Sequence, residues 1–556
     1  MQLLGSDLNL LPRNIGCLEA VDRPQQASSI AHRQARPSSH KDAMAADVEK
    51  LWPRRLLDIP TMTSIERQDG NKYGGEREPR YSVLSYTWGR FQAFEDDAPR
   101  LPVSSVSWKI PAVDETWFTA ASFSRVLERI GETSRFVWLD IACIDQEDHA
   151  VKLDEVGRQA GIFANAYRVE TPAEFYGTRA ETHELPDLAA RLGDAVKIVL
   201  SDWWFSSLWT LQEGSLRRDA EILSRDAERI RDIRVEDAIP EYIIVATIAT
   251  AIWDVFLYVG ESGEQDPVSW SVFHGPSMRD MGDQIARQIR EAGGLTGFGM
   301  STNPNIQFAA ARFRKTTNEL DRIYGIMATY NIRVGSDASR KYTLEELAYE
   351  FATTLNGKSP LLGQLFIHLD EPRPGTTWQI TQRSRVPRVL SSWTNDLSSS
   401  DDCHITGRVD GRAMITGQVT PLKGLVSLWR AFENVKESYL WAGFRVIMDD
   451  YICQPYTEIP SYNDRKEVVA NRQQAREIAQ SVLQVFDSTK LAVLTLGRAK
   501  GGGEMEFYGL ILQLDKDDHK QCRRLGLCSW HYKRTMRTAL DPSLWPVSEN
   551  YYGVIG

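Results

Sequence analysis

A carboxylate within an aromatic and apolar stripe is the first feature of this sequence that suits chemistry. The segment 203–216 reads WWFSSLWTLQEGSL. If it is helical, the spacing places these residues on one face: Trp209, Glu213, Leu216, Ala220 and Leu223. Burying a carboxylate is costly unless it has a partner. Glu213 is therefore either a structural residue that accepts hydrogen bonds or a catalytic group with a shifted pKa. The spacing leaves both interpretations open.

A second group of polar and aromatic side chains follows two predicted strands. The strands 81–86 and 136–141 each end in residues that could bind a ligand: Ser85, Tyr86, Trp88 and Asp140. Ligands of open parallel sheets bind outside the carboxyl ends of the strands, so we expect these residues to share one rim. A cap on the following backbone suits Asp140 equally well. Both roles stay open for it.

Two other constellations are weaker. Four potential zinc ligands occur near the C-terminal end, but their spacing matches no common zinc pattern, and the run CRRLGLCSWHY also fits a strand: His519, Cys522, Cys528 and His531. Cys143 with His149 lacks a third group that would orient a thiol nucleophile. We therefore predict no metal site and no cysteine chemistry.

The periodicity of the first half predicts a scaffold for these groups. Apolar spacing indicates a helix over 118–130, and the continuous apolar strand 136–141 is typical of a strand covered on both faces. Strands and helices that alternate at short intervals favour a parallel α/β sheet. Further helices are predicted from Pro186 to Leu200, from Trp204 to about Leu223, and behind the second strand with these residues on its packed side: Val156, Ala160, Phe163 and Tyr167.

Composition and texture divide the chain into four regions. We expect a disordered leader at 1–50, an α/β domain at 51–238, a mainly helical region at 239–400 and an α+β region with hairpins at 401–556. Capping boxes at Thr316 and Thr343 mark helices in the third region. Asp410-Gly411 between alternating strands predicts a type I′ hairpin in the fourth.

Charge and apolar content exclude several classes of function. A formal net charge of −10 argues against nucleic-acid binding, which needs a basic surface. The apolar run Tyr242–Gly260 contains Asp254, so we expect an internal helix rather than a membrane anchor. Six scattered cysteines do not form a disulfide framework, which favours a reducing compartment and a cytoplasmic location.

Several of these motifs together resemble the fungal heterokaryon incompatibility (HET) domain. The resemblance rests on three ordered blocks, YSVLSYTWG at 81–89, VWLDIACIDQED at 137–148 and SSLWTLQEG at 206–214. Downstream, RKTTNELDRIYGIMA at 314–328 and VLSSWTNDLS at 389–398 are similar to segments of long HET proteins. The chain departs from the pattern at Asp145, where the family often has Asn, and at Ser207, where it often has Arg.

HET domains have been compared with TIR domains, so the resemblance implies a flavodoxin-like or TIR-like parallel sheet followed by an α+β C-terminal region. Ser207-x-Trp209-Thr-x-x-Glu213 looks like a TIR motif whose glutamate is catalytic in NAD-cleaving members. The family then implies self/non-self recognition that triggers programmed cell death. NAD would be a substrate and not a cofactor. Glu213 would be catalytic, and Ser85, Tyr86, Trp88, Asp140 and Trp209 would bind substrate.

The alternative is a signalling adaptor without enzymatic activity. In that hypothesis the α/β domain assembles with another copy of itself or with an incompatibility partner protein, and Glu213 is structural. No nucleic acid and no membrane is expected as a partner under either hypothesis.

Overall fold

A computed structural model describes the chain at 52–87, 92–93, 95, 97–115, 119–172, 202–217, 219–224, 227–228, 304–337, 339–386, 397–433, 442–455, 472–501, 504–515, 518, 520–532 and 546–556. The chain divides into two compact units. The first is Met1–Gly299 with Phe313–Lys315, and the second is Met300–Arg312 with Thr316–Gly556.

Several sequence predictions fall outside the described residues. They are the leader at 1–50, Trp88, the helices predicted over 186–200 and 242–260, and His519. The domain boundaries at 50, 238 and 400 also stay predictions.

The first unit is built on a six-stranded sheet within the described residues. Its strands in chain order are β1 (Arg55–Asp58), β2 (Thr63–Glu66), β3 (Tyr81–Leu84), β4 (Phe136–Trp138), β5 (Arg168–Pro172) and β6 (Glu221–Leu223). They lie side by side in the order β6-β5-β3-β4-β1-β2. Two small two-stranded pairs accompany the sheet, Lys72–Tyr73 with Glu76–Arg77 and Gln92–Ala93 with Ala112–Val113.

The central strands of this sheet are parallel, as the sequence predicts. β3 pairs in parallel with both β4 and β5, and β5 pairs in parallel with β6. The edge formed by β1 and β2 is antiparallel, and β1 also runs antiparallel to β4. Every residue of β3 and β4 is buried, and β4 has the continuous apolar run that a strand covered on both faces requires. β3 also buries the polar Ser82. The mixed α/β class is confirmed.

Helices fill the connections of the first unit. They are α1 (Ala120–Gly131), α2 (Asp140–Cys143), α3 (His149–Asn165) and α4 (Leu208–Leu216). Thr119 caps α1 by accepting the Ser122 N–H, and α1 buries the face that the periodicity predicts: Phe123, Val126, Leu127 and Ile130. Asp148 caps α3 by accepting the N–H groups of Ala150 and Val151.

The predicted packed side of α3 is right for Phe163, which is buried, and wrong for the other three residues. Its buried residues include Glu155, Gln159, Ile162 and Phe163. Val156 and Ala160 are only partly buried, and Tyr167 lies beyond the helix and is exposed. The burial of two polar residues is possible because each has a partner. The Arg54 N–H donates to Glu155 Oε1 at 2.8 Å, and the Gln212 amide donates to Gln159 Oε1 at 2.9 Å.

The helix predicted from Trp204 to Leu223 is also wrong in extent. The chain forms a 3₁₀ turn at Trp203–Phe205, then α4, and then β6. Ala220 and Leu223 are therefore not on the helix face that carries Glu213. Leu223 extends the parallel sheet instead, because a short apolar run satisfies a buried strand as well as a helix.

Within the described residues, the second unit contains seven α-helices and an eight-stranded sheet. The helices are α5 (Pro304–Ala311), α6 (Asp321–Met327), α7 (Leu344–Lys358), α8 (Pro360–Gln364), α9 (Leu422–Glu433), α10 (Asp450–Cys453) and α11 (Arg472–Val485). The strands are β7 (Leu397–Ser399), β8 (His404–Gly407), β9 (Ala413–Pro421), β10 (Ala442–Met448), β11 (Leu491–Gly501), β12 (Glu504–Leu514), β13 (Gln521–Tyr532) and β14 (Glu549–Ile555). Ile367–His368 and Ser384–Arg385 form a separate two-stranded pair.

This sheet closes on itself. Its order is β7-β11-β12-β13-β14-β9-β8, β10 pairs with β13, and β9 also pairs with β11. One apolar core joins a face of the sheet to α7 and α8, and a second joins the other face to α9 and α11. Leu494 lies in the first core and its neighbour Val493 in the second, as alternation along a strand requires.

The local signals of the second unit have mixed outcomes. Thr343 and Glu346 form the predicted capping box at the start of α7. The capping box predicted at Thr316 is wrong, because α6 begins only at Asp321 and Thr316 donates to that carboxylate. The hairpin between β8 and β9 is confirmed, but of its loop residues only Gly411 has a positive φ, so the turn is not type I′.

No described helix has the length and apolar content needed to cross a membrane.

Candidate functional site

The rim predicted at the carboxyl ends of β3 and β4 is present. Because the two strands are parallel neighbours, the chain leaves both at the same edge of the sheet. Tyr86 follows β3, and its hydroxyl donates to Asp140 Oδ1 at 2.6 Å. The same oxygen accepts the Ile141 N–H at 2.7 Å. Asp140 thus caps the start of α2 and faces the β3 terminus at once.

Three side chains hold the short helix α2 in place. The Ser64 hydroxyl donates to the Ala142 carbonyl at 2.7 Å, and the Trp108 indole N–H donates to the Ile141 carbonyl at 3.0 Å. Arg55 Nε in turn donates to the Ser64 hydroxyl at 2.9 Å. These bonds fix the backbone that carries Asp140, so its carboxyl has a defined position.

Glu213 reaches the same region from α4. Its side chain is only 8 % exposed, and the Ser85 hydroxyl donates to Glu213 Oε2. The Trp204 indole N–H donates to Ser85 Oγ at 2.8 Å. Ser85 therefore bonds both the Trp204 indole and the Glu213 carboxyl group. These bonds connect the end of β3 to α4 and to the 3₁₀ turn before α4.

The surroundings of Glu213 favour its neutral form. Burial raises the pKa of Glu213 to about 8; the Ser85 hydrogen bond opposes this rise, and the negative charge of Asp140 adds to it. Glu213 is therefore mostly protonated at pH 7 and mostly ionised above pH 8. A carboxyl group with a pKa near the working pH is suited to accept and return a proton.

The pKa values of the neighbouring residues Asp140 and Tyr86 are also raised. Burial raises the pKa of Asp140, while the bonds from Tyr86 and the Ile141 N–H limit the rise. Burial and the adjacent Asp140 keep the pKa of Tyr86 well above its usual value. Tyr86 is thus a permanent hydrogen-bond donor at physiological pH.

The predicted site residues are only partly brought together. Hydrogen bonds join Ser85 to Glu213 and Tyr86 to Asp140, and the two pairs meet because Ser85 and Tyr86 are consecutive residues. Trp209 is half-buried on α4, one turn before Glu213. Trp88 lies outside the described residues. The buried indole that contacts the cluster is instead Trp204, which sequence spacing did not single out.

Arg314 is the second residue that sequence reasoning missed. It is 1 % exposed, and its Nη1 donates to the carbonyls of Trp204 at 3.0 Å and Ser207 at 3.2 Å. Burial lowers the pKa of Arg314 to about 9. A cation therefore does lie beside Ser207, supplied by a distant segment. The available signal was its place at the start of the family-like segment 314–328.

The potential zinc ligands do not form a cluster in the described part of the chain. Cys522 and Cys528 lie on β13 but belong to different apolar cores. Among the described residues, no group of three His, Cys, Asp or Glu side chains is placed to hold a metal ion.

Comparison with known families agrees with the motif assignment. Residues 81–213 match the family model described as Heterokaryon incompatibility protein (HET). The matched segment begins with β3 and ends at Glu213, so it contains the whole Ser85, Tyr86, Asp140 and Glu213 cluster. The HET resemblance is thus confirmed over this segment. No curated protein and no solved structure matches the chain.

Proposed function

We propose that this chain is a fungal self/non-self recognition protein that acts in heterokaryon incompatibility and triggers programmed cell death from the cytoplasm. We further propose that its HET segment is a flavodoxin-like or TIR-like domain that cleaves NAD, with Glu213 as the catalytic carboxylate. The family match over 81–213 supports the first statement. The geometry around Glu213 supports the second.

The strand order supports the flavodoxin-like comparison. In chain order, the parallel strands β3, β4, β5 and β6 lie in the arrangement 2-1-3-4, the order of that fold without its last strand. The chain leaves β3 towards one side of the sheet and β5 towards the other. Ligands of such sheets bind at this switch point, and Ser85 directly follows β3.

The observation that carries the proposal is the burial of the Glu213 carboxyl at this edge, beside Ser85 and near a second carboxyl group. In NAD cleavage the bond between the nicotinamide nitrogen and ribose C1′ breaks, its electron pair leaves with neutral nicotinamide, and C1′ becomes cationic. A nearby carboxylate stabilises such an oxocarbenium centre. Water then adds to C1′ and releases one proton, which Glu213 can accept.

The positive charge of NAD suits this site. Binding of a pyridinium ring beside Glu213 favours its ionised form, because an opposite charge at short range lowers a carboxyl pKa. Burial raises the pKa of both Asp140 and Glu213, so a cationic ligand would stabilise their ionised forms. In this proposal, Ser85 and Tyr86 exchange their bonds to Glu213 and Asp140 for bonds to ribose hydroxyls when NAD binds.

Glu213→Gln tests the proposal, with Glu155→Gln as its matched control. Both glutamates are buried on helices of the first unit and have raised pKa values, but Glu155 accepts a backbone N–H and lies outside the cluster. We expect Glu213→Gln to slow NAD loss by about 10²–10⁴-fold and to abolish cell death. Glu155→Gln should retain both activities. Wild-type rates in Glu213→Gln would contradict the proposal.

The adaptor hypothesis has its own support. Glu213 is nearly inaccessible and is bonded to Ser85, which also holds Trp204, so the cluster would serve equally well to join β3 to α4. In that case Glu213→Gln, which keeps the shape of the side chain, leaves cell death intact while purified wild-type protein does not consume NAD. Measuring NAD loss and cell death on the same variant separates the two hypotheses.

A further inference from the structure

A buried guanidinium holds the turn that precedes α4. Arg314 donates from Nη1 to the carbonyls of Trp204 and Ser207, at 3.0 and 3.2 Å. The backbone around it is also paired with this turn, since the Lys315 N–H donates to Ser206 O at 2.7 Å and the Leu208 N–H to Lys315 O at 3.0 Å. Phe313–Lys315 thus belongs to the first unit although it is distant in sequence.

The 3₁₀ turn Trp203–Phe205 contains Trp204, the indole that bonds Ser85 beside Glu213. Trp204 is fixed at its N–H by the Asp202 carboxylate, at 2.8 Å, and at its carbonyl by Arg314 together with the Thr210 hydroxyl. Its indole N–H then donates to Ser85 Oγ, and Ser85 donates to Glu213. A shift of the Trp204 backbone would move the indole N–H and change the hydrogen bond that Glu213 receives.

We propose that Arg314 is a positioning residue of the Glu213 site: it fixes the Trp204 backbone, and through the Trp204 indole and Ser85 it sets the position and the dry surroundings of the Glu213 carboxyl. The part of this inference that concerns reaction rate rests on the proposed NAD cleavage. The part that concerns the position and ionisation of Glu213 does not.

Arg314→Met tests the inference in the full chain. It keeps the length and apolar stem of the side chain and removes its donors. Arg314→Lys keeps the charge and at least one donor. Lys315→Gln is the neighbouring control, because Lys315 makes its bonds to Ser206 and Leu208 through the backbone. Its exposed ammonium lies 5.6 Å from the ring of Trp203, which is itself exposed and takes no part in the bonds to Ser85. A purely structural role for Arg314 predicts a loss of stability and nothing else.

The first readout is the pKa of Glu213 in each variant. It follows from the pH dependence of the stability difference between each chain and the same chain carrying Glu213→Gln. Within the described residues, the charge of Asp140 acts on Glu213, and Glu213 in turn acts on Tyr86; all the variants retain both neighbours. In Arg314→Met we expect water to reach Glu213, so that its pKa falls by about one unit or more.

The second readout is NAD loss. We expect kcat to fall by about 10–100-fold in Arg314→Met with a smaller change in KM, since misplaced groups act mainly on the chemical step. Arg314→Lys should recover part of the rate, and Lys315→Gln should match the wild type in both readouts.

The inference is overturned if Arg314→Met, or Arg314→Lys where the Met variant does not fold, loses stability while the pKa of Glu213 stays unchanged. It is equally overturned if Lys315→Gln shifts that pKa as much as the Arg314 variants do. Should the wild type not consume NAD, the proposed function fails, and the pKa readout still decides the role of Arg314.

Discussion

At the scale of single residues, the proposed site of the first unit consists of a few polar groups that are kept away from water. Glu213 is covered, and Ser85 and Asp140 influence its ionisation in opposite directions. Sequence spacing was sufficient to select Ser85, Tyr86, Asp140 and Glu213, because strand ends and an interrupted apolar stripe are local signals. Trp204 and Arg314 were missed because their roles arise from contacts between distant segments.

The raised pKa of Glu213 makes a prediction about stability. The neutral form is favoured in the folded state, so the stabilising contribution is complete below the ordinary value of 4.5, declines as pH rises, and is lost above about 8. Glu213→Gln resembles the neutral form at every pH. We expect the variant to gain stability relative to the wild type between about pH 5 and 8, by roughly 1.4 kcal/mol per pH unit at most.

Denaturant unfolding of both proteins at several pH values measures this difference. A constant difference across this range would mean that Glu213 ionises near its ordinary pKa and is not shielded from water. Control measurements on a surface glutamate variant correct for general effects of charge.

A second residue prediction concerns Tyr86→Phe. The change removes the hydroxyl that donates to Asp140 Oδ1 and leaves the Ile141 N–H as the remaining donor described for that oxygen. We expect a loss of about 1–2 kcal/mol in unfolding free energy when Asp140 is ionised, and a smaller loss at acidic pH. Thermal unfolding at pH 4 and pH 8 gives the comparison. Equal losses at both pH values would contradict a charge-assisted bond.

At the scale of helices and strands, prediction succeeded where one signal dominates. The helical spacing of the apolar residues in α1 and the continuous apolar run of β4 are such signals. The packed side of α3 was predicted correctly only at Phe163, because Glu155 and Gln159 are buried with partners and periodicity treats polar residues as exposed. The segment after Leu216 was assigned to a helix because a run of three residues cannot distinguish a short strand from a helix.

The capping box of α7 provides a prediction at this scale. Thr343 Oγ1 accepts the Glu346 N–H, and Glu346 Oε2 accepts the Thr343 N–H at 2.8 Å. Thr343→Ala should lower stability by about 1 kcal/mol, and Thr343→Ser, which keeps the hydroxyl, should lower it much less. Chemical unfolding monitored by circular dichroism measures both. Equal losses in the two variants would assign the effect to the methyl group and not to the cap.

At the scale of the whole molecule, the sequence was sufficient for the α/β class and for an α+β second half, but not for the closed eight-stranded sheet. β9 pairs with β11 and β14, strands separated from it by long stretches of sequence. Such pairings depend on how the two apolar cores pack together, so no short stretch of sequence contains a pattern that predicts them. The hairpins could be read from the sequence because their partners are adjacent in it.

One whole-chain prediction concerns the apolar segment 242–260, which lies outside the described residues. Because Asp254 interrupts it, we expect the full chain to be released from membranes by carbonate extraction. A matched chain carrying Asp254→Leu tests the reason, since removal of the carboxylate should increase membrane retention. Carbonate-resistant association of the unaltered chain would show the segment to be an anchor.

The pH dependence of NAD cleavage by the purified full chain tests the central claim most directly. If the ionised Glu213 carboxylate stabilises the cationic transition state, kcat/KM should rise about tenfold per pH unit below about pH 8 and level off above it, following the pKa of the free site. Glu213→Gln should lose this rise together with most of the rate, while Glu155→Gln keeps both. A wild-type profile that is flat through pH 8, with full activity in Glu213→Gln, would contradict the account.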